Sequence, residues 1–126
     1  MKLIFKTVSF TKWQKKATIK NEVLVKAIEE MACGLIDADL GGGLFKKRVP
    51  RPGFGKRSGY RTLIATNLED KWFFILGFAK NEQDNIDAAE LVALQKYAKF
   101  LLNISKEDIK HSLQSNELVE LKNEKK

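Results

Sequence analysis

The chain has 126 residues, 44% of them hydrophobic, and a formal net charge of +7. That length specifies one domain, which buries about two thirds of the surface its unfolded chain exposes, and no stretch approaches the roughly 20 apolar residues of a membrane span. A single cysteine, Cys33, excludes an internal disulfide, and one cysteine with one histidine, His111, argues against a structural zinc site. The N-terminal MKLIFKTVSF turns polar too soon for a signal peptide, so a cytoplasmic protein is expected.

In chain order, Leu3 to Val8 are rich in β-formers and predict a first strand. Ser9 is placed to cap a short helix through Ala17. Thr18 then precedes a second helix, in which Leu24, Ala27, Ile28 and Met31 fall at helical spacing and Gly34 is the stop. LIDADLGGG reads as a turn, because three consecutive glycines sit poorly in either regular element. Leu44 to Val49 predict a strand that Pro50 and Pro52 end. A glycine-rich basic loop leads to a strand at Tyr60 to Thr66. A polar turn follows, then an apolar, central strand at Trp72 to Phe78. These three strands form an antiparallel meander. Asp87 with Glu90, and Ser105 with Asp108, are capping boxes opening helices to Leu102 and Ser115. Leu91, Leu94, Ala98 and Leu101 line one face of the first. Glu117 to Lys122 alternate as a small last strand. Residues 1–122 are expected to be one domain and 123–126 a disordered tail.

Residues 44–61, LFKKRVPRPGFGKRSGYR, hold seven Lys or Arg and no acid, while the rest of the chain has 16 basic and 16 acidic residues. Concentrated like charge opposes compaction, and a polyanionic partner, usually nucleic acid, is the functional explanation. A solvated basic loop is the plain one. Catalytic sets are otherwise sparse. His111 reads as a surface residue, Cys33 as a small core residue, and Asp37 and Asp39 as turn aspartates capping backbone groups. GFGKRSG fits neither the dinucleotide fingerprint nor the P-loop.

Strand alternation puts Lys46 and Arg48 on one face and Phe45 and Val49 on the other. If the meander pairs in register, Lys46, Arg48, Arg61 and Lys80 converge over one side of the sheet, with helices on the other. Such a cluster suits RNA cleavage by the ribose 2′-OH. A preorganised guanidinium fork stabilises the phosphoryl charge that develops, and a lysine among other cations can serve as base where histidine is lacking.

The segment GLIDADLGGGLFKKRVPRPGFGKRSGYRTLIA, followed by FFILGFAKNEQDNI, closely resembles the RelE/HigB toxins of bacterial type II toxin–antitoxin systems. The most specific elements are DADLGGGL, GKRSGYR leading into a strand, and FAKNE. The resemblance implies an α+β, RelE-like (microbial RNase-like) fold: a small antiparallel sheet flanked by an N-terminal helical hairpin and C-terminal helices. It implies an endoribonuclease, an mRNA interferase cutting translated mRNA on the ribosome without a cofactor. It also implies a cognate antitoxin, often of helix-turn-helix type. Arg61, Lys80, Lys46 and Arg48 match the catalytic positions. Lys47, Arg51, Lys56 and Arg57 are the expected RNA contacts, with Phe54 or Tyr60 available for base stacking. Asn81 stands where many relatives have an arginine, and Ile86 and Asp87 where many have a substrate-stacking tyrosine. Two rivals follow from the same resemblance: a non-enzymatic inhibitor of gyrase like the ParE toxins, and a degenerate toxin acting only as a binding module.

Overall fold

The structure, a computed structural model, describes residues 2–53, 59–79 and 86–121. The elements are β1 (Leu3–Thr7), α1 (Val8–Ala17), α2 (Asn21–Ala32), β2 (Ala38–Gly41), β3 (Leu44–Val49), β4 (Tyr60–Thr66), β5 (Lys71–Ala79), α3 (Ala88–Leu102), α4 (Lys106–Gln114) and β6 (Leu118–Glu120). The fold is α+β, as expected. All six strands join one sheet in the order β2-β3-β4-β5-β1-β6.

The meander β3–β4–β5 is antiparallel, and β5 is interior. Two features of the strand pairing differ from the sequence reading. Ala38–Gly41 form an edge strand, hairpinned to β3, where only a turn was expected. The turn itself is Gly42-Gly43, whose φ values of 67° and 83° belong to the left-handed region of a tight hairpin. Second, β1 lies parallel to β5 and antiparallel to β6, so the sheet is mixed rather than antiparallel throughout.

Helices cover both faces, not one. Phe45, Val49, Ile64, Trp72 and Phe74 meet the α1–α2 hairpin through Phe10, Leu24, Ala27, Ile28 and Met31. Leu44, Leu63, Ala65, Phe73 and Ile75 meet Ala98 and Leu101 of α3 and Ile109 of α4. A strand buried on both faces needs a continuous apolar run, which β5 supplies from Trp72 to Phe78. Between Leu63 and Ile64 the β4–β5 register slips by one residue, so Ile75 and Leu76 both point to the α3 face. Beyond the bulge, Gly77 lies under the Trp13 ring, so close that a Cβ there would overlap it.

The N-terminal hairpin is pinned by polar groups. Thr7 rather than Ser9 caps α1, its hydroxyl accepting from the Phe10 N–H at 3.1 Å. Lys6, only 6% exposed, donates to Gln14 Oε1 at 2.8 Å and Asn21 Oδ1 at 3.3 Å. Gln14 in turn donates to the Ile19 carbonyl and to Asn21. Burial pushes the Lys6 ammonium below its ordinary pKa. Cys33 is exposed at the C-cap of α2, not part of the core. It stands two residues beyond Met31, which turns it about 200° away from the buried stripe.

Candidate functional site

β3 carries three consecutive cations, and the pleat separates them. Lys46 and Arg48 lie on the α3 face with Leu44. Lys47 lies on the α1–α2 face with Phe45 and Val49. The β3–β4 register sets Arg48 directly opposite Arg61 and Lys46 opposite Leu63. Arg61 is also the register partner of Phe78 on β5. Lys46, Arg48 and Arg61 thus share one face at the end of the sheet where β3 leaves, β4 enters and β5 leaves. All three are partly exposed, while Leu44, Leu63 and Ala65 toward the other end of that face are buried under α3.

Like charges directly opposite on a sheet repel. One carboxylate relieves this pair from the side. Asp37 accepts from the Arg48 backbone N–H at 2.8 Å and from Arg48 Nε at 2.9 Å. Burial pushes the Asp37 carboxyl up, but the hydrogen bonds from Arg48 and the charges of Lys47 and Arg48 outweigh it and hold it below the usual carboxylate range. The clamp uses the Nε edge of the guanidinium, so the terminal nitrogens can serve a second acceptor. Arg61 donates from Nη1 to the Gly59 carbonyl at 3.2 Å. The arrangement is two guanidinium forks and an ammonium on a β-sheet, oriented by one carboxylate and one carbonyl. Chemically it is suited to hold a phosphodiester and to stabilise added negative charge on it.

Lys47 is a correction. Expected as an RNA contact, it is 3% exposed and bound internally. Its ammonium lies 2.9 Å from Glu30 Oε1 of α2, 3.9 Å from Asp37, and donates to the Leu35 carbonyl at 3.0 Å. Tyr60, partly exposed, lies apart from the cationic cluster. It packs on the α1–α2 face, edge-on to Trp13 with ring centroids 5.1 Å apart, and Arg51 lies 5.5 Å from its ring centroid. Both are on the side of the sheet away from Arg61. Lys80, Phe54, Lys56 and Arg57 lie outside the described residues, as does Asn81. Asp37 and Asp39 do cap backbone groups as expected, Asp39 accepting from the Gly41 N–H. His111 is exposed in the last turn of α4.

Two signals in the sequence went unused. All four arginines of the chain, Arg48, Arg51, Arg57 and Arg61, fall within 48–61. Restricting the charge count to guanidinium would have separated the phosphate-matching residues from the lysines. Residues 1–28 hold seven lysines and one acid, Glu22. Lys12, Lys15 and Lys16 of that set are exposed on α1, a second basic surface on the opposite side of the sheet.

A mixed sheet with a helical hairpin on one face, helices partly covering the other, and paired arginines at its free end defines a small α+β protein with a cationic sheet face. The family described as RelE toxin of RelE / RelB toxin-antitoxin system matches residues 1–121, and the chain belongs to that family. It is a toxin of a toxin–antitoxin system, and the family implies a cognate antitoxin. RelE family toxins are generally endoribonucleases. Among curated proteins, none matches. No helix among the described residues is long and apolar enough to cross a membrane.

Proposed function

We propose that the chain is an mRNA interferase that cuts messenger RNA on the ribosome, in the cytoplasm, by attack of the ribose 2′-OH on the adjacent phosphorus. The observation that carries this reading is the direct cross-strand pairing of Arg48 and Arg61 on a partly exposed face. A like-charge pair held by the backbone is costly alone and favourable around an anion. In the reaction the 2′ oxygen forms a bond to phosphorus and the bond to the 5′ oxygen breaks, leaving a 2′,3′-cyclic phosphate and a 5′-hydroxyl. The non-bridging oxygens gain charge in between. Arg61 and Arg48 meet that charge with bidentate donors, and Lys46 binds the neighbouring phosphate. The nucleophile belongs to the substrate, so guanidinium groups supply the stabilisation a metal would otherwise bring. Lys80, next in sequence after Ala79, is the candidate to take the 2′-OH proton or to hold phosphate. Arg51, Lys56 and Arg57 serve docking of messenger or ribosome.

The test is primer extension on messenger RNA after induction of the toxin. Arg61→Ala is expected to lower cleavage about a hundredfold, the usual consequence of removing one transition-state donor. Cleavage unchanged in Arg61→Ala overturns the role given to Arg61. Growth arrest with DNA-damage signalling and intact messenger RNA overturns the nuclease reading in favour of gyrase inhibition.

A further inference from the structure

Helix α3 is apolar on two sides. Its inner side buries Ala98 and Leu101 and packs Leu91, Leu94 and Leu102 against the sheet. Its outer side shows Val92 (48% exposed), Tyr97 (39%) and Phe100 (60%), with the last two rings stacked at 6.4 Å. Val92, Lys96 and Phe100 follow at four-residue spacing, so they form one stripe about 12 Å long. A helix that is apolar all round is ordinarily buried all round. Here nothing in the chain covers the outer stripe among the described residues.

The charges beside the stripe narrow the occupant. Lys96 and Lys99 are exposed along it, and the helix's single acid, Glu90, lies in the first turn at the cap. A second copy crossing at the middle of the stripe sets Lys96 against its own copy, which like-charge repulsion opposes. A partner helix with an apolar stripe and carboxylates at its edge meets both chemistries.

We infer that the outer face of α3 docks an amphipathic, acid-edged helix of the antitoxin, its apolar stripe on Val92, Tyr97 and Phe100 and its carboxylates on Lys96 and Lys99. The inference rests on the toxin–antitoxin assignment, not on the nuclease mechanism. The docking surface is on the same side of the sheet as Arg48 and Arg61 but on the part α3 covers. Antitoxin held there is anchored beside the cationic residues without needing to touch them.

The experiment is calorimetric titration of the purified toxin with the antitoxin encoded beside its gene. Phe100→Glu is expected to weaken binding on the order of a hundredfold, as for a central apolar contact. The pair Lys96→Glu with Lys99→Glu is expected to weaken it roughly tenfold and to flatten its salt dependence. Phe100 is exposed, so Phe100→Glu and the milder Phe100→Ala should melt with the parent. Cleavage by Phe100→Glu in the absence of antitoxin reads the nuclease proposal separately. Wild-type affinity in Phe100→Glu overturns the inference. So does an antitoxin-free toxin that sizes as a dimer and becomes monomeric on Phe100→Glu.

Discussion

Lys46, Lys47 and Arg48 are neighbours in sequence and opposites in circumstance. Lys47 points into the α1–α2 layer, where Glu30, Asp37 and the Leu35 carbonyl surround its ammonium. Lys46 and Arg48 point the other way, and across from Arg48 stands another arginine. One strand thus places one cation inside the fold and two on a partly exposed face, where Asp37 pairs with Arg48 alone of the two. The basic character of the segment is shared; only the strand's two-residue period separates the buried cation from the exposed ones.

The contrast breaks if Lys47 proves dispensable. Lys47→Ala removes the ammonium that lies 2.9 Å from the mostly buried Glu30, and the expected loss is about 3 kcal/mol, or a melting temperature lower by about 10 °C. Any loss of cleavage should follow the loss of folded protein. A thermal melt within about 2 °C of the parent removes the distinction between the two faces. Arg61→Ala should show the reverse pattern. Cleavage falls about a hundredfold while the melting temperature holds or rises slightly, because Arg48 loses its like-charged neighbour. Parallel melts and cleavage rates on the same preparation read both.

Asp37→Asn sits between the two faces and should affect each. Losing the charge on an acceptor of the Arg48 guanidinium is expected to lower stability by about 1–2 kcal/mol and cleavage about tenfold, since Arg48 is less firmly held. Its acid response sharpens the point. The Asp37 carboxyl is held below its ordinary range in the fold, so the unfolded chain binds its proton first. The stabilisation is therefore present above the ordinary aspartate pKa of about 4 and is lost as pH falls further, through the folded value. Urea melts from pH 6 down to about 3 should show that slope in the parent and a shallower one in Asp37→Asn. The smallest effect is at Lys6. Burial lowers its pKa from 10.5, so the unfolded chain holds the proton longer as pH rises. Stability should climb modestly between the folded value and 10.5, and Lys6→Met should flatten that climb.

Much of this arrangement was legible from local pattern. The four buried positions of α2, the capping boxes of α3 and α4, and the meander all follow from periodicity and turn chemistry. So does the shared face of Lys46, Arg48 and Arg61. The edge strand β2 was not legible: Ala38, Asp39 and Gly41 are poor strand formers, and pairing with β3 overrides their propensity. The parallel union of β1 with β5 was hidden because it joins residues nearly seventy positions apart, with no local trace. Lys47 was misjudged for a different reason. The alternation that groups Phe45 with Val49 also places Lys47 between them, and a charge count ignores that. The packing of Tyr60 was hidden because Trp13, its ring partner, lies on a separate helix.

The bulge at Ile75 and Leu76 acts as a phase corrector. With two consecutive residues given to one face, every later position of β5 reads one step out of the simple alternation. Deleting Leu76 would restore the uninterrupted rhythm and keep the strand's exit, because Ile75 would take the place opposite Leu63. Gly77 would stay opposite Thr62 under the Trp13 ring, and Phe78 opposite Arg61. A codon lost at the bulge is thus absorbed, whereas one lost at Gly77 would bring a side chain opposite Thr62, into the space of the Trp13 ring.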